Sequence, residues 1–150
     1  TVALLTDVMG FRKIAEEGPR SRFESGDGGS GTRVDVLLDP GTPRGRGGAG
    51  TVHHVAFRNV DDPDQLAWRQ RLTEHLQWPT DVRDRQYFHS IYFREPGGVL
   101  FEMATDPPGF AVDEPVDRLG SELRLPPWFE TRRAEIEAAL PTITSTGDQS

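Results

Sequence analysis

The pattern of apolar and polar residues predicts two blocks of secondary structure along the chain. The first block opens with an amphipathic helix over residues 2–9, and Gly10 follows it at the position where glycine commonly ends helices. Three segments with the composition of strands come next, at 11–16, 20–24 and 32–38. Asp39-Pro40 closes the third strand. The first block therefore has the order helix, strand, strand, strand.

The second block is predicted to open with a strand over residues 50–58, rich in β-branched and aromatic side chains. A helix then begins with Asp62 as its N-cap and Pro63 as its first residue, and apolar residues at helical spacing carry it to Leu76. Three strands follow, near 79–82, at 87–94 and at 99–105. The turn 95–98 joins the last two as a hairpin.

The two blocks resemble each other, since residues 34–40 align with 101–107 and place Asp35 opposite Glu102. An internal repeat of this kind indicates the architecture of the fold. We predict an α+β fold of paired βαβββ modules, in which the first module lacks its opening strand. The predicted parts are a partial module at 1–40, a glycine-rich linker at 41–50, a complete module at 51–110 and a C-terminal extension at 111–150. The extension is expected to hold a helix at 128–140 and a disordered tail.

Composition narrows the classes of function. Lys and Arg number 17 against 24 Asp and Glu, and the net charge of −7 argues against a nucleic acid or an anionic membrane as partner. The absence of cysteine excludes disulfides and zinc-thiolate sites. No apolar run approaches a membrane span and no signal peptide opens the chain, so we expect a soluble cytoplasmic protein. The glycine pattern at 45–50 leads into a strand instead of a helix, and nucleotide binding is not predicted.

Two residues stand out as candidates for metal binding. On the predicted strand, His54 shares a face with Ala56, whereas His53 lies on the other face with Val55. One histidine must therefore face inward. Glu102 is a lone carboxylate among apolar residues of another strand, and burying a carboxylate is costly unless it is paired or binds a metal. The sequence thus predicts His54 and Glu102 as two ligands of one metal ion.

With these residues in view, the chain resembles the vicinal oxygen chelate superfamily, and in particular its hydroquinone-type ring-cleaving dioxygenases. The matching stretches are 3–11, 50–57, 84–88, 90–102, 107–110 and 132–140. The resemblance implies a mononuclear Fe(II), or Mn(II), held by two histidines and one glutamate. It assigns His54 and Glu102 as metal ligands. It also implies catalytic roles for His53, Tyr92 and Arg85, which would hydrogen-bond the substrate or move a proton, and it gives His89 no role.

The resemblance implies an Fe(II)-dependent extradiol-type dioxygenase that cleaves hydroquinone- or catechol-like aromatics with O2, or the C-terminal part of such an enzyme. One alternative is a dimeric small-molecule-binding protein of the glyoxalase/bleomycin-resistance kind without oxygenase activity. Another is a lyase or isomerase of glyoxalase type. Residues 1–49 contain no histidine, so we expect another chain or a partner N-terminal module to supply the third metal ligand. The missing first strand predicts an exposed sheet edge, which a homodimer would cover.

The remaining candidate residues have structural interpretations. His75 is expected to be solvated near the C-terminus of its helix, where a cation suits the helix dipole. Asp35 is expected to occupy a former ligand position and to be solvated. Trp68, Trp78 and Trp128 are expected to pack against apolar neighbours.

Overall fold

The computed structural model describes residues 1–43 and 45–141. The chain divides into two compact units, Thr1–Pro107 and Pro108–Ser150. The first unit contains the predicted partial module and all but the last three residues of the predicted complete module. The predicted disordered tail falls almost entirely outside the described residues.

The first module has a short helix followed by a three-stranded antiparallel sheet. The helix, Leu4–Val8, is wound as a π-helix, and Gly10 after it has a φ of +74°, a conformation that suits glycine. The strands are β1 (Arg12–Glu17), β2 (Arg20–Glu24) and β3 (Arg33–Leu37), in the order β1-β2-β3. The predicted helix and strands of this module are confirmed to within two residues at most ends.

The second module has the complete βαβββ order. Its elements are β4 (Val55–Asn59), α1 (Asp62–Glu74), β5 (Arg83–Asp84), β6 (Phe88–Arg94) and β7 (Leu100–Pro108). The strands form one sheet in the order β4-β7-β6-β5, with β4 parallel to β7. The α+β prediction of two related modules is therefore confirmed, and in the described residues the first module shows a helix and three strands.

Several predicted boundaries in the second module were wrong. Strand β4 begins at Val55 instead of residue 50, because its pairing with β7 starts at the Val55–Phe101 pair. The N-cap of α1 is Asp61, whose side chain accepts a hydrogen bond from the Asp64 N–H at 2.9 Å. The helix ends at Glu74, and Leu76 lies beyond it with a φ of +58°. The short strand near 79–82 is displaced to β5.

Side chains from both modules form one hydrophobic core in the first unit. Its buried members are Leu4, Leu5, Val8, Phe11, Phe23, Leu72, Ile91, Phe93, Phe101 and Met103. The ring of Phe11 in the first module lies edge-on to that of Phe57 in β4, with 6.0 Å between centroids. Trp68 packs against this core as predicted, but Trp78 is 81% exposed and the packing prediction for it was wrong.

The second unit is mostly irregular in its described part. Short 3-10 helices at Phe110–Val112, Val116–Arg118 and Pro127–Arg132 precede α2 (Arg133–Ala139). The helix predicted at 128–140 is therefore present, but its first turns are 3-10. Trp128 is 51% exposed, but its ring lies against that of Phe129 with 6.3 Å between centroids, so the expected packing is only partial.

The turn between β6 and β7 is organised by a buried carboxylate. The Glu95 side chain is 1% exposed, and it accepts hydrogen bonds from the N–H groups of Gly97 and Val99, each at 2.8 Å. The Thr1 hydroxyl donates a further hydrogen bond to it. Burial alone would raise the pKa of Glu95, but these hydrogen bonds outweigh burial and hold the pKa below its usual value. The turn that joins the two longest strands therefore depends on an ionised glutamate.

We expect Glu95→Gln to lower the free energy of unfolding by about 1–3 kcal/mol at neutral pH, because a neutral amide replaces a charged acceptor of several N–H and O–H donors. Since the folded-state pKa is depressed, the carboxylate stabilises the fold above the unfolded-state pKa, and this stabilisation is lost as pH falls through the folded-state value. Urea unfolding of both proteins from pH 7 down to pH 3 measures the difference, which should shrink toward the acid end.

Glu16→Gln is the matched control, since Glu16 is exposed and pairs with the nearby Lys13. It should change the free energy of unfolding by less than about 1 kcal/mol. Equal effects of the two substitutions at neutral pH would contradict the role given to Glu95.

Candidate metal and substrate site

The structure brings the two predicted metal ligands into contact. Ala56 of β4 pairs with Glu102 of β7 across parallel strands, so both side chains point to one face of the sheet. His54 lies two residues before Ala56, and its Nε2 is 2.6 Å from Glu102 Oε2. Residues separated by 48 positions in the sequence therefore present a nitrogen and an oxygen donor to the same point.

Glu102 is a buried carboxylate with partners for both oxygens. Glu102 is 3% exposed and lies on β7, an inner strand of the sheet. The Tyr92 hydroxyl on the neighbouring strand β6 donates a hydrogen bond to Oε1 at 2.5 Å, while Oε2 faces His54. A carboxylate is stable in a buried position only when its oxygens accept hydrogen bonds or bind a cation. The Tyr92 contact fixes the rotation of the carboxylate and leaves Oε2 directed at the imidazole.

His53 lies beside His54 instead of on the opposite face. The two Nδ1 atoms are 2.9 Å apart, and the rings meet edge-on with 5.2 Å between centroids. The prediction of opposite faces assumed a strand at these positions, but β4 begins only at Val55, so strict alternation does not apply. One of the two Nδ1 atoms must carry the proton of this hydrogen bond. The tautomer of His54 is therefore coupled to that of His53.

An open cavity of about 400 Å³ lies over this group. Its lining residues are His53, His54, Thr80, Arg83, Arg85, Tyr92 and Leu100. The guanidinium carbon of Arg85 lies 5.3 Å from the centroid of the Tyr92 ring, within the range of a cation–π contact. The cavity thus contains every predicted catalytic residue, with Glu102 hydrogen-bonded beneath Tyr92.

Sequence reasoning missed three residues of the cavity lining, Thr80, Arg83 and the apolar Leu100. Arg83 begins the two-residue strand β5, and no local sequence signal distinguishes it from the other arginines. Thr80 exchanges hydrogen bonds with the backbone of Tyr92: its N–H donates to the Tyr92 carbonyl at 2.9 Å, and its hydroxyl accepts from the Tyr92 N–H at 3.2 Å. Its place beside β6 follows from tertiary pairing and has no local sequence signal.

The donor chemistry of His54 and Glu102 fits a transition metal. An imidazole nitrogen and a carboxylate oxygen are two of the three donors in the facial triad of non-haem Fe(II) enzymes, which takes two histidines and one carboxylate. Across residues 1–43 and 45–141 no group of three or more His, Cys, Asp or Glu side chains has the arrangement of a metal site. Within these residues, His54 and Glu102 therefore remain a pair of candidate donors.

Other candidate residues lie outside the site. Asp35 forms a two-pronged ion pair with Arg22, at 2.7 and 2.8 Å, and this hydrogen bonding lowers its pKa to about 2. It is thus held in an ion pair, whereas simple solvation was expected. His89 Nδ1 lies 2.6 Å from Asp62 Oδ1 at the start of α1. His75 is exposed just after α1, as predicted.

The helices within residues 1–43 and 45–141 are all too short or too polar to cross a membrane.

The chain is similar in sequence to named ring-cleaving enzymes. It is 48% identical over 140 residues to a Bacillus subtilis protein named "Putative ring-cleaving dioxygenase MhqO", covering 93% of this chain and 44% of that protein. It is 41% identical over 139 residues to a chlorohydroquinone/hydroquinone 1,2-dioxygenase of Sphingobium indicum, covering 89% of this chain and 42% of the enzyme. The chain therefore spans less than half the length of these curated relatives.

Solved structures agree with the sequence comparison. A crystal structure from Bacillus subtilis, described as that of a "putative dioxygenase", has a TM-score of 0.85 at 46% identity, over 95% of this chain and 46% of that one. A lactoylglutathione lyase from Agrobacterium tumefaciens, at 20% identity and a TM-score of 0.52 over 69% of this chain and 81% of that one, shares the fold.

The model of the Glyoxalase/Bleomycin resistance protein/Dioxygenase superfamily matches residues 1–103. This range contains the first module, the second module up to the middle of β7, and every residue of the candidate site. The chain belongs to the glyoxalase/bleomycin resistance protein/dioxygenase superfamily.

Proposed function

We propose that the chain carries the metal-binding part of a ring-cleaving dioxygenase that opens hydroquinone- or catechol-like aromatics with O2 in the extradiol manner, in the cytoplasm. The observation that supports this proposal best is the convergence of His54 Nε2 and Glu102 Oε2 at 2.6 Å beneath an open cavity. The curated relatives named as dioxygenases support the reaction class.

His54 and Glu102 would hold Fe(II), or Mn(II), together with one further ligand. The metal would supply a Lewis acid for a substrate hydroxyl and a route for electrons from the ring to O2. For His54 to bind through Nε2, its proton must sit on Nδ1 and point at His53, because a neutral imidazole carries only one proton. His53 would thus position His54 by accepting this hydrogen bond.

Three further residues would act around the substrate. Tyr92 holds the carboxylate of Glu102 and places a hydroxyl at the floor of the cavity, where it could donate a proton to the substrate. Arg85 covers the Tyr92 ring and reaches the same cavity, so it can hydrogen-bond a substrate oxygen. With its Nδ1 accepting from His54, the exposed His53 would carry its proton on Nε2 and could donate a hydrogen bond or a proton to a substrate oxygen.

The third metal ligand would come from a partner N-terminal module or from the other chain of a homodimer. Ala56, on the same face as Glu102, is exposed, so this face has room for a further element. Within the described residues, strand β3 is a sheet edge without the parallel neighbour that β4 provides for β7. Open faces and edges of this kind are usually covered. We propose that residues 41–50 link the partial module to the complete module, and that 111–150 form an extension.

Anaerobic titration with Fe(II), followed by oxygen-electrode measurements on hydroquinone and catechol, tests the proposal. We expect about one Fe(II) per site and one O2 consumed per ring opened, with loss of the aromatic absorbance. Binding of the aromatic compound without oxygen uptake, after Fe(II) has been loaded, would favour a small-molecule-binding protein and would contradict the dioxygenase proposal.

A further inference from the structure

Most arginines of the described chain are neutralised by carboxylates. Ion pairs within 4.0 Å hold Arg12, Arg20, Arg22, Arg33, Arg58, Arg69, Arg118, Arg124, Arg132 and Arg133. In a chain with 24 acidic against 17 basic residues, such pairing is the expected state of an arginine. Among residues 1–43 and 45–141, the arginines outside this group are Arg46, Arg71, Arg83, Arg85 and Arg94.

Four of these five arginines lie beside the candidate site. Arg83 and Arg85 line the cavity over His54, and Arg46 and Arg94 line a neighbouring cavity of about 560 Å³. The two cavities share His53 and Leu100. Positive charge without protein counter-charges is thus concentrated beside the site of an acidic protein. Such a field favours negatively charged ligands.

Arg83 and Arg85 reach the same cavity. Arg83 begins β5, an edge strand of the sheet, and Arg85 directly follows this strand; both side chains line the cavity. Asp84 between them pairs with His89 in the strand register, and its carboxylate accepts a hydrogen bond from the Gln86 N–H at 2.7 Å. The acidic residue between the two arginines is therefore engaged by its own turn.

We propose that Arg83 and Arg85 bind a carboxylate carried by the aromatic ring of the substrate, and that Arg83 sets the preference for such a substrate. Guanidinium groups bind carboxylates through paired, charge-assisted hydrogen bonds. Arg85 also contacts the Tyr92 ring, so an anion held between the two arginines lies next to Tyr92 in the cavity. That the ligand is an aromatic ring rests on the proposed function, whereas the prediction that the ligand is negatively charged rests on the arginines alone.

Calorimetric binding of hydroquinone and of hydroquinone bearing one ring carboxylate to the full chain tests the inference, with and without Fe(II). We expect the carboxylated compound to bind at least about tenfold more tightly at low salt, as hydrogen bonds to charged groups allow. Arg83→Gln should reduce this ratio of affinities about tenfold, and Arg83→Lys should give an intermediate ratio because it keeps the charge but loses the planar fork. Raising the salt concentration should also reduce the ratio.

Arg71→Gln is the matched control. It removes one unpaired arginine of the same unit, but Arg71 contacts Trp68 and the Asp7 carbonyl and lies outside both cavities. The affinity ratio should stay as in the original protein. Equal affinity for the two compounds, or an equal loss in Arg71→Gln and Arg83→Gln, would overturn the inference.

The outcomes separate this inference from the proposed function. A carboxylate preference that depends on Arg83, without oxygen uptake on any ring, supports the inference and counts against the dioxygenase. Oxygen uptake on hydroquinone, with no preference for the carboxylated ring in binding, overturns the inference and leaves the dioxygenase standing.

Discussion

Replacing Glu102 with glutamine is expected to weaken Fe(II) binding at least about 100-fold, a loss as large as the strongest effects seen when metal-ligand shells are disturbed. Glutamine has nearly the same shape, and its side-chain oxygen can still accept the hydrogen bond from Tyr92. The substitution removes the negative charge at the oxygen that faces His54. Divalent cations bind carboxylate oxygens far better than amide oxygens, so the affinity for Fe(II) should fall when the negative charge is removed.

Oxygen uptake on hydroquinone should fall with the bound iron, to below about one thousandth of the original rate, because the metal makes the reaction possible in the proposed mechanism. Anaerobic Fe(II) titration and the oxygen electrode measure the two quantities separately. Glutamine at position 102 also removes a charged partner from His54, so circular dichroism should establish that the variant is folded before its metal affinity is compared.

Asp35→Asn provides the control for Glu102→Gln. It makes the same change of carboxylate to amide at the aligned position of the first module, where the side chain pairs with Arg22 and Arg20. Fe(II) affinity and oxygen uptake should stay within about twofold of the original values, since exposed ion pairs contribute little beyond their own neighbourhood. Unchanged iron binding in Glu102→Gln would refute the assignment of Glu102 as a ligand.

The sequence was sufficient to predict the pairing of His54 with Glu102 because both signals are simple. A lone carboxylate in an apolar strand must have a partner, and the repeat of the two modules indicates which strands lie in one sheet. The structure agrees, since β4 and β7 are adjacent and Ala56 pairs with Glu102.

The sequence was insufficient where tertiary contacts decide local geometry. Composition indicated a strand starting at residue 50, but pairing with β7 begins only at Val55. Because His53 and His54 precede the paired strand, their side chains can lie next to each other. Arg83 was missed because nothing local distinguishes it from the surface arginines that find carboxylate partners. Trp78 is exposed despite its size, and apolar composition alone cannot tell which large residues a fold leaves uncovered.

Tyr92→Phe is expected to lower kcat about 100-fold while weakening Fe(II) binding by no more than about tenfold. The hydroxyl makes one hydrogen bond to Glu102, so its loss disturbs the orientation of a ligand without removing it, and changes of this kind typically cost 10- to 100-fold in affinity or activity. The larger effect on kcat follows from the proposed donation of a proton to the substrate, since general acid catalysis contributes about 100- to 10,000-fold.

Measurements with saturating iron separate these two roles of Tyr92. If the hydroxyl only positions Glu102, excess Fe(II) should restore the rate of Tyr92→Phe to within about tenfold of the original. If it also donates a proton, kcat stays low at saturating iron and the KM for hydroquinone changes little, because the lost interaction belongs to the transition state. Tyr87→Phe is the matched control, since Tyr87 is absent from the cavity lining and its loss should leave kcat within about twofold. Full recovery of Tyr92→Phe with iron would limit Tyr92 to holding the carboxylate, and the proton would then have to come from His53, the remaining proton-carrying side chain beside His54 in the cavity.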